Sequence, residues 1–351
     1  MYYPVRVLHA ELSSRCNASC PQCMRNQQGG QVQPWLKQAN MRLADFTRWF
    51  PPEWISQLDM FYACGNYGEP AMNRECAEIF DYVLAHSGAQ VRLHTNGSVR
   101  NPAWWSRLGE LFANRGEVIF GIDGLPGQHE IHRRGTDWYK IMENAQAFMA
   151  SGGTASATCL VFKHNQHDLD QLENQLRERG FSRVDFFGTG RFLNDERMSV
   201  RNTQGDHEYW LERATLPAFR GAMHRLAPHM AKHPQLTQSY LSQIELAPSC
   251  LVNQELYVNV FGALAPCCFM AGLLSEPRDN TGDIASLLKQ FSKDQAAERG
   301  LTMPLMGKRT VTETLESREW DIMQRLWHDN LPVMTCAWHC GQKRKAPDAA
   351  Q

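Results

Sequence analysis

The sequence predicts an α/β protein: six strand–helix repeats forming a parallel sheet, open or closed into a barrel, followed by a smaller cysteine-bearing region. Two observations carry this. Short apolar runs alternate with helical periodicity through the first half, joined by short connections. Most of the eleven cysteines gather toward the two ends of the chain.

Residues 5–12 read as the first strand, followed by a loop with three cysteines. Residues 58–63 and 73–85 read as a strand and a helix, and 90–94 with 102–114 repeat that pair. A strand over 118–122 precedes Trp138, Ile141, Met142, Ala145, Phe148 and Met149, which fall at helical spacing, and Gly152 and Gly153 stop that helix. Residues 155–162 form the next strand, Leu169, Leu172 and Leu176 mark a helix ended by Gly180, and 184–187 close the series. In such folds chemistry sits at the carboxyl ends of the strands. Residues 191–248 are expected to be an irregular helical connector; His229 and His233 within it are four apart, but flanking prolines argue against a shared metal-binding face.

Lys plus Arg is 36 against 37 for Asp plus Glu, with no long basic block, so nucleic acid is not expected as a partner. The N-terminus lacks a charged-then-apolar signal pattern, and the apolar stretch 257–274, interrupted by Asn259, Gly262 and Pro266, reads as a hairpin instead of a membrane span. A cytoplasmic protein is expected, and its cysteines then point to metal in preference to disulfides.

The first loop reads Cys16, three residues, Cys20, two residues, Cys23. Three thiolates can hold three irons of a [4Fe–4S] cube and leave the fourth open. With the preceding strand, this spacing resembles the radical S-adenosylmethionine superfamily. The resemblance extends to Gly65 through Gly68-Glu69-Pro70 after the second strand, similar to a motif that binds the methionine ammonium. It continues with Asn96 and Ser98 after the third strand, near the ribose and carboxylate, and with Asn165 after the fifth, where the chain packs on adenine. Two departures stand out. Gln22 replaces a residue that is usually aromatic and near the adenine, and Gly121 stands where relatives often carry Ser.

Cys250, eleven residues, Gly262, four residues and Cys267 resemble the opening of the SPASM and Twitch auxiliary-cluster domains, with Cys336 and Cys340 as the remaining ligands. Cys268 adjoins Cys267 and makes the ligand ambiguous by one residue. Zinc is the competing metal.

The resemblance therefore implies a partial (β/α)6 TIM-like barrel over 1–190, the connector over 191–248, a hairpin-and-helix auxiliary cluster domain over 249–341 and a disordered tail over 342–351. The implied cofactors are two [4Fe–4S] clusters and S-adenosylmethionine. The implied reaction is reductive cleavage to a 5′-deoxyadenosyl radical, which removes a hydrogen atom from a substrate carbon. The implied partners are a small polyol- or sugar-like molecule or a peptide as substrate, and a reductant such as flavodoxin or ferredoxin. Only fifteen residues precede Cys16, so no precursor-binding domain is expected at that end. Oxidation of the substrate is the expected outcome. The alternatives are epimerisation, with Cys64 or Cys159 returning hydrogen, and a non-catalytic zinc protein. Arg133, Arg134, Trp138 and Tyr139 are further candidates for substrate contact, against the plainer reading of a solvated loop.

Overall fold

The computed structural model describes residues 4–192, 195–219, 244–246, 248–277, 284–328 and 333–343. The chain divides into two compact units. The larger comprises Ala10–Thr47 and Ile55–Met223, and the smaller Met1–His9, Arg48–Trp54 and His224–Gln351.

The first strand, β1 (Val7–Ala10), runs from the smaller unit into the larger at Ala10. In the larger unit, β2 (Met60–Ala63), β3 (Gln90–Thr95), β4 (Gly116–Gly121), β5 (Thr154–Val161) and β6 (Val184–Gly188) lie side by side in chain order. Every adjacent pair is parallel, with Phe61 opposite Val91, Leu93 opposite Val118, Phe120 opposite Ala157 and Cys159 opposite Phe186. Parallel neighbours need crossovers, supplied by helices α1 (Cys76–His86), α2 (Pro102–Phe112), α3 (Trp138–Ala150) and α4 (Leu169–Glu178).

Local chemistry sets the helix ends. Asn101 accepts from Trp104 N with Pro102 at the first helical position, and Asp137 accepts from Tyr139 N and Lys140 N. On α3, Trp138, Ile141, Ala145 and Phe148 are buried at positions i, i+3, i+7 and i+10, one stripe facing the sheet. The core beneath is an aromatic chain: Phe61–Phe80, Phe80–Phe112 and Phe112–Phe148 meet edge to face at 5.1, 4.8 and 6.0 Å. The fold is α/β, with the predicted order of strands and helices.

The segment expected to be helical differs. Residues 197–212 form an antiparallel hairpin, β7 (Arg197–Arg201) with β8 (His207–Glu212), Val200 opposite Tyr209. Its apolar residues alternate with period two: Val200 and Leu211 are buried with Phe162 and Phe192, and Met198 and Tyr209 pack beside them. The alternation is short, and in β8 the exposed Trp210 between Tyr209 and Leu211 masks it in the sequence. His229 and His233, with Pro228 and Pro234, lie outside the described residues.

In the smaller unit, β9 (Ile244–Leu246) pairs antiparallel with β12 (Gly341–Lys343), and β10 (Glu255–Val258) with β11 (Leu264–Ala265). Gln342 and Lys343, expected to begin a disordered tail, are therefore ordered opposite Glu245 and Ile244. So short and polar a strand leaves no periodic signal, and residues 344–351 lie outside the described residues. At the hairpin tip Asn259 accepts from Phe261 N and Ala263 N. Gly262 adopts φ +77° against the Trp49 ring. Helices α5 (Cys268–Ser275), α6 (Ile284–Glu298), α7 (Arg318–His328) and α8 (Met334–Cys340) complete the unit. Its core contains Met270, Leu273, Ala296, Leu301, Met323, Leu326 and Val333. Among the described residues, no helix is long and apolar enough to cross a membrane.

Candidate active site

The loops at the carboxyl ends of the larger unit's strands enclose a cleft of about 290 Å3. Cys16, Cys20 and Cys23 line it, with Cys64, Gly68, Glu69, Pro70 and Asn96 from the loops after β2 and β3. The three-cysteine loop is pinned from both sides. Ser13 Oγ donates to Asn40 Oδ1 at 2.7 Å, and Ser14 Oγ donates to Lys37 O at 2.9 Å. The Arg25 guanidinium, 3 % exposed, donates to Ser14 O, to Tyr67 O at 3.1 Å and to Gln38 Oε1 at 3.1 Å, tying this loop to the glycine loop after β2. Gly68 passes so close to Ser13 that a β-carbon would stand 2.0 Å from its carbonyl oxygen. Only glycine allows that approach.

Glu69 is buried, and three donors hold it: Thr95 Oγ1 and Ala71 N on Oε1 at 2.7 and 3.1 Å, and Asn96 N on Oε2 at 2.7 Å. Burial raises its carboxyl above the ordinary value, and these hydrogen bonds with Arg133 act against that rise. With three of about four acceptor positions taken, Oε2 keeps one for a donor in the cleft. Asn96 Nδ2 donates to Asn17 Oδ1 at 2.8 Å and lies 3.8 Å from Cys16 Sγ, which binds the two loops together.

Burial pushes the Cys16, Cys20 and Cys64 thiols up to about 12. Such sulfurs become thiolates only where a cation compensates them, which fits a metal-bearing group. Among the described residues, no three Cys, His, Asp or Glu side chains converge tightly enough for a single metal ion.

Other expected site residues stand elsewhere. Asn165 is 1 % exposed and does not line the cleft: Nδ2 donates to Asp123 O and Leu160 O at 2.9 Å each, and Oδ1 accepts from Phe162 N at 2.7 Å. Its amide is consumed in holding the β5 loop. Ser98 N donates to Asn96 Oδ1 and its Oγ accepts from Asp137 N, so it braces the loop after β3 from behind. Cys159 is fully buried beside Leu160 O and Asn165, away from the cleft, so Cys64 is the thiol of the two with access.

The motif comparison missed a charged network after β4. Asp123, fully buried, accepts from His132 Nδ1 at 2.7 Å, Arg133 Nε at 2.6 Å and Leu160 N at 2.8 Å. Burial alone would raise its carboxyl, but Arg133 and His132 outweigh that and hold it far below the usual carboxylate range. Arg133 and His132 both line the cleft. Arg134 points instead to a second cavity of about 720 Å3 beside β8, paired with Glu208 at 2.6 Å. Trp138 is buried in the core, and Tyr139 is exposed. Position after a strand was the sole sequence signal for Arg133, and it could not separate it from Arg134.

In the smaller unit Cys250, Cys267, Cys336 and Cys340 form an electrostatically coupled group. Burial pushes Cys250 up to about 12 and Cys267 up to about 11. Cys268 packs instead against the cluster of Tyr257, Ala265 and Ala271. Cys267 is the member of the adjacent pair whose charge Cys250 and Cys336 feel, and it packs against the same core as Cys336.

No family model matches the chain. Over 164 residues it is 26% identical to mycofactocin maturase MftC of Mycobacterium ulcerans (strain Agy99), a match taking in 46% of this chain and 42% of that protein. The chain thus spans less than half the length of this curated relative. Among solved structures, anSMEcpe with bound S-adenosylmethionine superposes with a TM-score of 0.52 at 16% identity, over 92% of this chain and 80% of that one. The same protein with bound S-adenosylmethionine and the Kp18Cys peptide also gives 0.52 at 16% identity, over 90% and 82%. These structures share the fold. These likenesses agree with the resemblance to the radical S-adenosylmethionine superfamily that the loop motifs carry. The donor set of the cleft, three thiols and a buried carboxylate with an acceptor position left, fits a [4Fe–4S] cluster and S-adenosylmethionine, the cofactors that the resemblance implies.

Proposed function

We propose that the chain cleaves S-adenosylmethionine reductively and oxidises a substrate at an unreactive carbon, with a peptide as the favoured substrate class and a small polyol or sugar-like molecule as the other. Cys16, Cys20 and Cys23 hold the cluster, Glu69 takes the methionine ammonium, and the N–H groups that Arg133 does not spend on Asp123 face carboxylate groups in the cleft. When bound, the reduced cluster and S-adenosylmethionine supply a 5′-deoxyadenosyl radical that takes a hydrogen atom from the substrate. The protein's own contribution is orientation, and exclusion of water from a buried cleft.

The convergence of the three cysteines with Glu69 and Asn96 in one cleft carries this reading. The maturase name of the curated relative and the peptide bound in one solved neighbour support a peptide. In this reading residues 1–190 are the catalytic domain. Cys250, Cys267, Cys336 and Cys340 in 249–341 would hold a second cluster, which would supply an acceptor for the electron the substrate gives up, and a flavodoxin or ferredoxin would supply the initiating electron. Because Cys64 lines the cleft, epimerisation with that thiol as hydrogen donor is the second reading. Anaerobically reconstituted protein, given dithionite and S-adenosylmethionine, is expected to release 5′-deoxyadenosine and methionine. Absence of both products from iron-loaded protein would refute the proposal. A peptide product lighter by two hydrogens supports oxidation, whereas unchanged mass with one solvent deuterium points to Cys64.

A further inference from the structure

The pairing of β9 with β12 brings the first and last thiols of the C-terminal group together. Gly341, one residue beyond Cys340, lies opposite Leu246, and a short helical turn, Ser249–Val252, follows and carries Cys250. Cys336 stands one turn before Cys340 on α8. At this junction the Ser249 hydroxyl lies 3.7 Å from Cys340 Sγ, within hydrogen-bonding reach of a sulfur atom. While the thiol keeps its proton, either atom could be the donor. A sulfur bound to metal has no proton to give, so in that state the serine donates and the sulfur accepts.

The inference rests on the reading above, in which these four thiols would hold an electron-accepting cluster. Hydrogen bonds to the sulfurs are among the factors that set the potential of such a cluster. Reduction adds negative charge, and a proton aimed at a ligand sulfur favours the state that carries more of it. Glu255 acts the other way, since its charge raises the proton affinity of both Cys250 and Cys267. The Phe269 and Met270 backbone amides act with the serine, lowering that of Cys267. Those amides belong to the main chain, whereas the Ser249 hydroxyl is a donor that one substitution removes.

We propose that Ser249 acts on the second cluster through Cys340: its hydroxyl donates to Sγ and raises the reduction potential, so that the cluster takes up the substrate's electron more readily.

The test uses the full-length chain with Cys16, Cys20 and Cys23 changed to Ala and iron and sulfide restored anaerobically, so that the C-terminal thiols hold the remaining cluster. A redox titration followed by electron paramagnetic resonance gives its midpoint potential, with iron and sulfide measured for every protein. Ser249→Ala is expected to lower that potential. At the midpoint of the parent protein the ratio of oxidised to reduced cluster should rise about two- to ten-fold, the range of one hydrogen bond. Ser249→Thr keeps the hydroxyl and is expected to restore the parent ratio. An unmoved or raised potential in loaded Ser249→Ala would overturn the inference and leave the proposed function standing. If the alanine variant does not load, Ser249→Gly takes its place. Failure of both to load would show that the residue holds the site together instead of setting its potential, which also overturns the inference. Zinc or no metal at these thiols in the parent protein would remove the second cluster and the inference together.

Discussion

The Arg133 guanidinium lies against Gly121 so closely that a β-carbon there would stand 2.6 Å from Arg133 Nη2. The absence of a side chain at position 121 and the presence of this arginine in the cleft are one arrangement. Gly121→Ser must displace the guanidinium from Asp123, and overpacking of this kind costs about 1–3 kcal/mol. Against an Arg133→Ala background the same serine has room and is expected to cost less than half as much. Urea denaturation of the two single variants and the double variant measures the coupling. Additive losses would mean that the two residues do not compete for this space.

Glu69 offers Oε2 to a cleft donor while its other positions hold Thr95, Ala71 and Asn96. Glu69→Gln removes the charge and sets an amide hydrogen against one of those donors. Losing a charge-assisted hydrogen bond costs about 1.5–3 kcal/mol, so S-adenosylmethionine is expected to bind at least ten-fold more weakly. Iron content should stay unchanged. Equilibrium binding to iron-matched protein checks this, and unaltered affinity would show that the ammonium sits elsewhere.

Cys267 shares a core with Cys336 and is felt electrostatically by Cys250 and Cys336, whereas Cys268 packs with Tyr257. Reconstituted wild-type protein is expected to carry about eight irons, two cubes of four. Cys267→Ala should lose about half of that iron and Cys268→Ala almost none. Changing Cys16, Cys20 and Cys23 together to Ala should leave the other half in place. Metal analysis decides, and zinc retained at the C-terminal thiols would exclude a second cluster.

His129 and His164 are held to about 4, in each case chiefly by burial. The neutral ring of His129 accepts from Asp123 N at 3.0 Å, a bond that protonation of Nδ1 would break. In the unfolded chain both rings take up a proton near pH 6.5. Between about 6.5 and 4 the unfolded state therefore binds more protons, and stability falls as pH falls. The slope is at most about 1.4 kcal/mol per pH unit for each histidine. In His129→Asn, where Oδ1 can stand in for Nδ1, the decline between pH 7 and 5 should be shallower. Chemical denaturation across that range measures it, and parallel curves for variant and wild type would count against this role.

The strands and helices of the larger unit were legible because buried parallel strands and amphipathic helices write different periods into the chain. The hairpin of β7 and β8 was hidden because each strand shows only two inward apolar positions, and the exposed Trp210 breaks the alternation between Tyr209 and Leu211. Motif order located the loops of the cleft, but a loop motif does not say which side chain turns inward. Asn96 faces the cleft whereas Ser98, two residues on, braces it, and Asn165 gives its whole amide to neighbouring backbone. The pairing of Asp123 with Arg133 depends on a turn of ten residues folding back on itself, and no spacing rule announces it.

Arg25 has a consequence for how the loop is loaded. Among the described residues its buried cation meets uncharged acceptors, Ser14 O, Tyr67 O and Gln38 Oε1, and it lowers the proton affinity of Cys16 nearby. On the proposed assignment, an inorganic core wrapped in thiolates is an anion, and its counterion is already part of the polypeptide. Closing the loop around that core then brings opposite charges together, so Arg25 favours the loaded loop over the empty one.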